Sequence, residues 1–445
     1  MENLEVVRAA IMAELEKEVT RFLAKVAQEK PGGLQLERAA REVGLRCGAQ
    51  VLEKGLALYG KGNQGRSLPC QCPEPGMKFV RYDRVRITSV TGEIEVVSAY
   101  YHCSVCGQSR WPVLEQFGSV GGLSEGARRM AAEAGGLIGG FEQSGEVLYR
   151  FSGLRLSDNT IRRVTEQVGQ GLREQEKKAV AQAWETHEPV RAAKAVECLH
   201  VAVDGTTVCT EKGAWREVKS GVIYETKAVP GEEPQAVRPS YVSTFDPARE
   251  FGHEVWLQAA RRGASQAKRI VTLGDGSVWI WNLYAENFPF NRVEVLDYFH
   301  ASEHLAELAR ACWGEATKQA QRWHAQHAKT LLKKNGAARV RQVMKELTVT
   351  DPKARAVIDA TISYFEHNLT RMNYYEYRKQ GYHIGSGLAE AACKHVVGAR
   401  FKQSGMTNWT IPGAEAVLRV RVAIKNGTFE RQCDALASQR FQKAA

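Results

Sequence analysis

Three short apolar segments in the second half of the chain each end in an aspartate, and this pattern constrains the fold more than any other feature. The segments "CLHVAVD", "AKRIVTLGD" and "NRVEVLD" end at Asp204, Asp275 and Asp297. Their β-branched residues are typical of buried strands. Acids just past the carboxyl ends of such strands occupy the crevice where α/β sheets bind ligands. The pattern predicts a sheet with carboxylates along one edge, although each aspartate alone also suits a turn or a helix N-cap.

A fourth acid, Glu390, is notable because its surroundings are basic. It lies in "GSGLAEAACKHVVGARFK", residues 385–402, which we predict to be helical. An i,i+4 ion pair with Lys394 would explain one acid on an exposed helix. Two strand-end aspartates and a helix-borne glutamate are also the oxygen ligands that divalent cations such as Mg²⁺ or Mn²⁺ prefer. The sequence therefore predicts two metal ions held by Asp204, Asp275 and Glu390.

The formal net charge of +11 and the isoelectric point of about 9.1 favour a polyanionic partner, most simply nucleic acid. Residues 318–345 contain eight Lys or Arg side chains and no acid. Such a stretch is either a solvated face or a surface that contacts phosphates. We predict DNA contacts from six cations of this stretch and of the 385–402 helix: Lys333, Lys334, Arg339, Lys394, Arg400 and Lys402.

Ten cysteines in a chain of this size, four of them in two close pairs, indicate a metal site rather than disulfides. Cys70, Cys72, Cys103 and Cys106 flank a predicted β-hairpin. The hairpin would bring the two cysteine pairs together, and four thiolates in a tetrahedron bind zinc. We predict a structural Zn²⁺ here, because no open ligand position or nearby base indicates catalysis. Two unrelated pairs of free thiols are the alternative.

Residues 124–174 contain three predicted helices joined by glycine-bearing turns, and Ser157 is placed to cap the third. The arrangement is compatible with a helix-turn-helix, whose last helix enters the major groove with its N-terminal residues at base edges. A small helical linker bundle with a polar outer face is the alternative. The residues that would reach DNA open the third helix: Asn159, Thr160, Arg162 and Arg163.

At 445 residues the chain exceeds the size at which a single hydrophobic core stops growing, so several domains are expected. The sequence has no apolar run long enough to cross a membrane, and it starts with an acidic amphipathic segment rather than a signal peptide. This favours a cytoplasmic protein. We predict a multidomain α+β fold that comprises N-terminal helices (1–60), a zinc-ribbon-like β-hairpin module (61–120), a helical DNA-binding segment (121–178), an α/β core (195–300 and 381–430) and a helical insertion (301–380).

Four motifs follow one another in the second half of the chain: "VAVDGT", "GDGSVWIWN", "DYFHASEHL" and "GSGLAEAACK". In this order they resemble the DDE transposases of bacterial insertion sequences, most closely the Kra-type group, which is distantly related to Mutator-like elements. The resemblance covers roughly residues 198–430. It implies an RNase H-like catalytic core with an all-helical insertion between the second aspartate and the glutamate. It also implies a catalytic triad of Asp204, Asp275 and Glu390, with an accessory Asp-x-x-His element at Asp297 and His300.

The sequence thus predicts a DNA transposase that cleaves the ends of its insertion sequence and joins the 3′-OH to target DNA by two-metal phosphoryl transfer. Expected partners are terminal inverted repeats, target DNA and further copies of the chain in a dimer or larger synaptic assembly. The expected location is the bacterial cytoplasm, on the nucleoid when DNA is bound. An inactive transposase-derived DNA-binding protein and an RNase H-like metal-dependent nuclease are the alternatives. Asp297 also ends an apolar segment, so it rivals Asp275 as the second metal ligand.

Overall fold

The computed structural model describes residues 2–72, 76–186, 196–229 and 233–444. The chain is a mixed α+β protein with two sheets, and it divides into two compact units. The first unit comprises Met1–Leu172 with Phe429–Ala445, and the second is Arg173–Thr428. Residues 73–75 of the predicted hairpin module and residue 195 at the predicted start of the core lie outside the described residues. Within the described ranges, no helix is both long enough and apolar enough to span a bilayer.

The first unit combines helices with a four-stranded antiparallel sheet, in the strand order β1-β2-β3-β4. The predicted break between the two N-terminal helices and the predicted hairpin are both confirmed. Ser157 caps the long sixth helix as predicted, since its hydroxyl accepts a hydrogen bond from the amide of Thr160. The elements are α1 (Glu2–Glu29), α2 (Gly33–Leu56), β1 (Ser67–Leu68), β2 (Met77–Ser89), β3 (Gly92–His102), β4 (Ser109–Arg110), α3 (Pro112–Gln116), α4 (Glu125–Leu137), α5 (Phe141–Ser152) and the first half of α6 (Asp158–Thr186), which belongs to the second unit from Arg173 onward.

The second unit is built on a five-stranded mixed sheet that contains all three predicted apolar strands. These strands are adjacent: β5 (Cys198–Cys209) pairs in parallel with β8 (Arg269–Gly274), which pairs in parallel with β9 (Arg292–Leu296). On the other side of β5, β6 (Trp215–Lys227) and β7 (Gln235–Thr244) are antiparallel, which completes the order β7-β6-β5-β8-β9.

One strand differs from the prediction. Asp204 does not end β5, because the strand continues to Cys209 in its antiparallel pairing with β6. Only the parallel pairing with β8 stops before Asp204. The continuous apolar run ends at Val203, whereas most of the strand beyond it is only partly buried and lacks such a run.

In the described part of the second unit, seven further helices precede the segment that contains Glu390, and those from α9 to α13 form the predicted helical region between residues 301 and 380. They are α7 (Ala248–Arg261), α8 (Val278–Asn287), α9 (Tyr298–Trp313), α10 (Lys318–Leu331), α11 (Gly336–Glu346), α12 (Pro352–Asn368) and α13 (Tyr374–Lys379). The predicted helix that contains Glu390 consists of α14 (Gly387–Ala392), a π-helical segment (Cys393–Gly398) and α15 (Ala399–Phe401). Two more helices follow, α16 (Ile411–Lys425) and α17 (Phe429–Ala444), of which α17 belongs to the first unit.

The helical insertion shares one hydrophobic core with the sheet. Val201, Leu273 and Val295 of the three parallel strands lie in the same buried cluster as Leu305 of α9 and Phe365 of α12. A cluster of this kind ties the elements together through non-directional burial of apolar surface. The insertion is therefore packed onto the sheet rather than attached to it as a separate lobe.

Candidate metal centre and nucleic-acid surfaces

The register of the parallel strands brings the three aspartates to one edge of the sheet. The last pair of the β5–β8 ladder lies two residues before Asp204 and two residues before Asp275. The last pair of the β8–β9 ladder lies one residue before Asp275 and one residue before Asp297. Because paired strands advance together, the three residues follow one another along the edge.

Glu390 joins this edge from α14, where its charge interacts with the aspartates. Partial burial raises the pKa of Glu390, and the negative charges of Asp297 and Asp204 add to the shift, while His300 opposes it. Burial also raises the pKa of Asp204, and the charge of Asp275 adds to that shift. Carboxylates that raise one another's pKa values carry uncompensated negative charge, which suits a divalent cation. Charge interactions thus link Asp204 both to Asp275 and to Glu390 at this acidic edge, which we call the acidic site.

Asp275 keeps oxygen lone pairs for a ligand. Its side chain is half-buried and accepts hydrogen bonds from the Ser277 amide, at 2.8 Å, and from the Ser277 hydroxyl, at 3.1 Å. A carboxylate has about four lone-pair directions, so two of them stay open. Asp275 can therefore bind a metal ion while the loop holds its orientation.

Asp297 is different because its carboxylate is fully buried and accepts four hydrogen bonds from the protein. One oxygen accepts the amides of Phe299, at 2.5 Å, and His300, at 3.1 Å, at the start of α9. The other oxygen accepts the amide and the hydroxyl of Ser386, just before α14. Burial alone would raise the pKa of Asp297, but hydrogen bonds from His300 and Ser386 outweigh it and lower the pKa. Asp297 thus fastens the Glu390 helix to the end of β9.

His300 lies beside both Asp297 and Glu390. One potential ligand atom from each of these three residues falls within 4.8 Å of the others. The Asp297 carboxylate, 3.7 Å from Nδ1, raises the pKa of His300 to about 9. A histidine held by a buried carboxylate is a common arrangement next to metal ions. His300 is thus protonated at neutral pH, and it could serve as a nitrogen ligand only after losing that proton.

An open cleft adjoins the acidic site and combines both signs of charge. Asp204 and Glu390 line it together with Lys394 and Lys402, whose side chains are exposed. Lys402 also donates a hydrogen bond to the hydroxyl of Thr206. Metal-binding acids next to exposed cations suit a phosphate ester, which is an anion that metal ions also bind. The residues that line the cleft are Asp204, Thr206, Glu390, Cys393, Lys394, His395, Gly398, Ala399 and Lys402.

Arg400 corrects one prediction. Its side chain is fully buried, and its guanidinium lies 4.8 Å from the centroid of the Trp409 ring. Burial lowers the pKa of Arg400 to about 10. The prediction that Arg400 contacts the DNA backbone is therefore wrong for this conformation, because phosphates cannot reach a group that solvent does not reach.

The four predicted zinc ligands come together at the end of the β2–β3 hairpin. Their sulfur atoms all lie within 4.8 Å of one another, and the Sγ atoms of Cys70 and Cys106 are 3.3 Å apart. Thiolates 2.3 Å from a tetrahedral zinc ion would be about 3.8 Å apart. The amides of Cys106 and Val105 donate to Cys103 and lower its pKa to about 7, which favours the thiolate that zinc requires. The four cysteines fit a zinc ion.

The predicted DNA-contacting residues of the third helix lie at the exposed start of α6. Asn159, Arg162 and Arg163 are all exposed, and the side chain of Arg163 packs next to Gly121. Asn159 accepts a hydrogen bond of 3.4 Å from Arg162. The helix is 29 residues long, and α5 precedes it across a five-residue connection. This first unit presents a cationic helix start, which is one requirement of the predicted helix-turn-helix.

The basic surface of the insertion is exposed on α10, on α11 and between them. Lys333, Lys334 and Arg339 are exposed, and none of the three has a carboxylate partner among the described residues. By contrast, Lys345 pairs with Glu366 at 2.7 Å. The unpaired cations are available to an external anion, whereas Lys345 is partly neutralised.

Sequence reasoning missed three residues that shape the acidic site. Ser386 binds Asp297, Cys393 lines the cleft, and Tyr364 of α12 donates a hydrogen bond to the main-chain carbonyl of Asp275. Ser386 precedes a helix, which is a recognisable N-cap signal, but its bond to Asp297 spans 89 residues. Nothing in the sequence pattern distinguishes Tyr364 from other aromatic residues of the insertion.

Comparison with known proteins gives a family but no activity. The model of a family described as "Uncharacterised protein family (UPF0236)" matches residues 77–439. The matched region contains the acidic site, the β2–β3 hairpin and two of the four clustered cysteines, Cys103 and Cys106, whereas Cys70 and Cys72 precede it. No curated protein matches the chain.

Proposed function

The chain belongs to the uncharacterised protein family UPF0236, and we propose from its own site that it is a DDE-type DNA transposase. It would cleave the ends of its insertion sequence and join the freed 3′-OH to target DNA. The observation that carries the proposal is the convergence of Asp204, Asp275 and Glu390, which come from two strands and a distant helix, on one edge of the sheet next to an open, cation-lined cleft.

The strand arrangement supports an RNase H-like core. Three antiparallel strands lead into two parallel ones, and the first aspartate lies on the central strand. The helices between β9 and α14 occupy the place of the insertion that the resemblance implies between the second aspartate and the glutamate. The edge where parallel strands end is also the usual ligand site of such sheets.

Each residue at this site would have a distinct role. Asp204 with Asp275, and Asp204 with Glu390, would hold two Mg²⁺ or Mn²⁺ ions. When bound, such ions activate the attacking oxygen and stabilise the leaving oxygen of an in-line displacement. Lys394 and Lys402 would hold phosphates next to the carboxylates. Asp297 would keep the Glu390 helix in place through Ser386. His300 would lie next to both Asp297 and Glu390.

The other predicted surfaces would supply further contacts with DNA. We infer that the four-cysteine hairpin binds structural zinc as a ribbon-like module, and that the start of α6 reads the terminal repeat. The basic surface at Lys333, Lys334 and Arg339 would contact flanking phosphates. Further copies of the chain would complete a synaptic assembly, an expectation that comes from the resemblance.

The deciding experiment measures metal-dependent cleavage of DNA that carries the ends of the element. Asp204→Asn, Asp275→Asn and Glu390→Gln remove a negative charge with little change of shape, and each should lower cleavage at least about a thousandfold, since each removes a ligand of the charge-stabilising ions. Lys345→Ala is the control, because this cation already has a carboxylate partner. Circular dichroism would verify that the variants fold.

Three results would contradict the proposal in different ways. DNA binding without cleavage by the wild-type protein would indicate an inactive DNA-binding protein. Cleavage of hybrids or branched DNA without joining would indicate an RNase H-like nuclease. Full cleavage by Asp275→Asn together with inactivity of a folded Asp297→Asn would show that the second metal ligand is Asp297.

A further inference from the structure

The helical insertion reaches the acidic edge of the sheet through Tyr364 of α12. Its hydroxyl donates a hydrogen bond of 2.7 Å to the main-chain carbonyl of Asp275. The side chain is half-buried. A tyrosine hydroxyl has an ordinary pKa of about 10, so it keeps its proton and can donate this bond at neutral pH.

The loop after Asp275 is shaped to receive the Tyr364 ring. Gly276 has φ +106°, and a Cβ added there would lie 2.7 Å from a ring carbon of Tyr364. Both the backbone conformation and the space thus require glycine. On the insertion side, the centroid of the His304 imidazole lies 4.1 Å from that of the Tyr364 ring. The tyrosine is therefore held between α9 and the loop.

The same short loop also orients the Asp275 carboxylate. Both carboxylate oxygens accept hydrogen bonds from Ser277, two residues further along the chain. The direction of the side chain thus depends on the backbone of residues 275–277, and Tyr364 holds that backbone at the Asp275 carbonyl. We propose that Tyr364 is a positioning residue through which the helical insertion fixes the Asp275 carboxylate for metal binding. The inference deepens the proposed function, since it rests on Asp275 as a metal ligand.

Tyr364→Phe tests this role because it removes only the hydroxyl and keeps the ring that packs on Gly276. We expect Mn²⁺ affinity of the protein without DNA, measured by electron paramagnetic resonance, to fall about three- to tenfold, the effect of one lost hydrogen bond. The Mg²⁺ concentration for half-maximal cleavage should rise by a similar factor. DNA affinity in Ca²⁺ should stay unchanged, which separates loss of positioning from general damage.

Tyr374→Phe is a matched control from the same helical region. Tyr374 is fully buried, and its hydroxyl has no hydrogen-bond partner within the described part of the chain. This variant should bind Mn²⁺ like the wild-type protein. The inference is overturned if Tyr364→Phe also does so, or if the wild-type protein binds no Mn²⁺. If the wild-type protein binds Mn²⁺ more tightly than Tyr364→Phe yet cleaves no DNA, the positioning role stands and the proposed transposase function fails.

Discussion

At the scale of single residues, hydrogen bonds decide what each aspartate at the sheet edge can do. Asp275 and Asp297 both follow a buried parallel strand, so their local sequences do not separate a metal ligand from a structural residue. Among the described residues, the half-buried side chain of Asp275 forms hydrogen bonds with Ser277 alone, whereas the fully buried side chain of Asp297 forms them with three residues. Asp297 therefore joins β9 to the start of α14, and Asp275 keeps oxygen lone pairs that can bind an ion.

The buried imidazole of His200 makes stability depend on pH. Burial lowers the pKa of His200 to about 3, with a smaller effect of His383, whereas an unfolded histidine has a pKa of about 6.5. The unfolded state therefore binds a proton between these values and the folded state does not. The stability that His200 contributes is fully present above pH 6.5 and is lost as the pH falls towards 3, by about 1.4 kcal/mol per pH unit.

His200→Gln should remove this dependence. We expect the free energy of unfolding of the wild-type protein to fall between pH 7 and pH 5 by up to about 2 kcal/mol more than that of the variant. Urea titrations at the two pH values provide the measurement, and His395→Gln, at an exposed position, is the control. An equal fall in wild type and His200→Gln would show that the imidazole becomes protonated without unfolding.

At the scale of elements, the helix that carries Glu390 shows why positive charge on a helix did not predict the burial of Arg400. A regular α-helix repeats every 3.6 residues, but the segment Cys393–Gly398 is π-helical and holds an extra residue in its turn. Residues after this segment are rotated relative to a continuous α-helix. Lys394 and Lys402 remain exposed, while Arg400 points into the core against Trp409.

The β2–β3 hairpin is the element that we expect to depend on zinc. Purified protein should contain about one zinc ion per chain, and Cys103→Ser should lose it, because three thiolates bind zinc more weakly than four. The melting temperature should also fall by several degrees, as zinc binding contributes to folding. Elemental analysis and thermal unfolding provide the measurements.

Cys47→Ser is the control for zinc binding, because Cys47 lies on α2 and is not part of the four-cysteine cluster. It should keep both the zinc content and the melting temperature. A zinc-free wild-type protein purified without chelators, with all four thiols free to react, would refute the assignment.

At the scale of the whole molecule, the net charge of +11 predicts that DNA binding weakens steeply with salt. Each phosphate contact contributes about 0.9 to the slope of log K against log salt concentration. Lys333→Ala with Lys334→Ala should reduce the magnitude of that slope by about 1.8, as two unpaired cations are lost. Fluorescence anisotropy at several salt concentrations provides the measurement.

Lys345→Ala is the control for this salt dependence. It should change the slope less, because Glu366 already pairs with Lys345. If the single and the double variant changed the slope equally, DNA would not bind at Lys333 and Lys334.

Local sequence determined the strands of the second unit, the cysteine cluster and the basic surface of the insertion. Apolar β-branched segments identified the three parallel strands, cysteine spacing identified the thiol cluster, and charge identified the basic surface on the insertion. These features depend on neighbours in the chain or on composition, so a pattern can reveal them. Tertiary structure alone decided that Asp297 bonds to Ser386, that Arg400 is buried and that Tyr364 bonds to the Asp275 carbonyl. The physical reason is that hydrogen bonding and burial at these residues come from segments about 90 residues away or from a helix irregularity, which no local periodicity records.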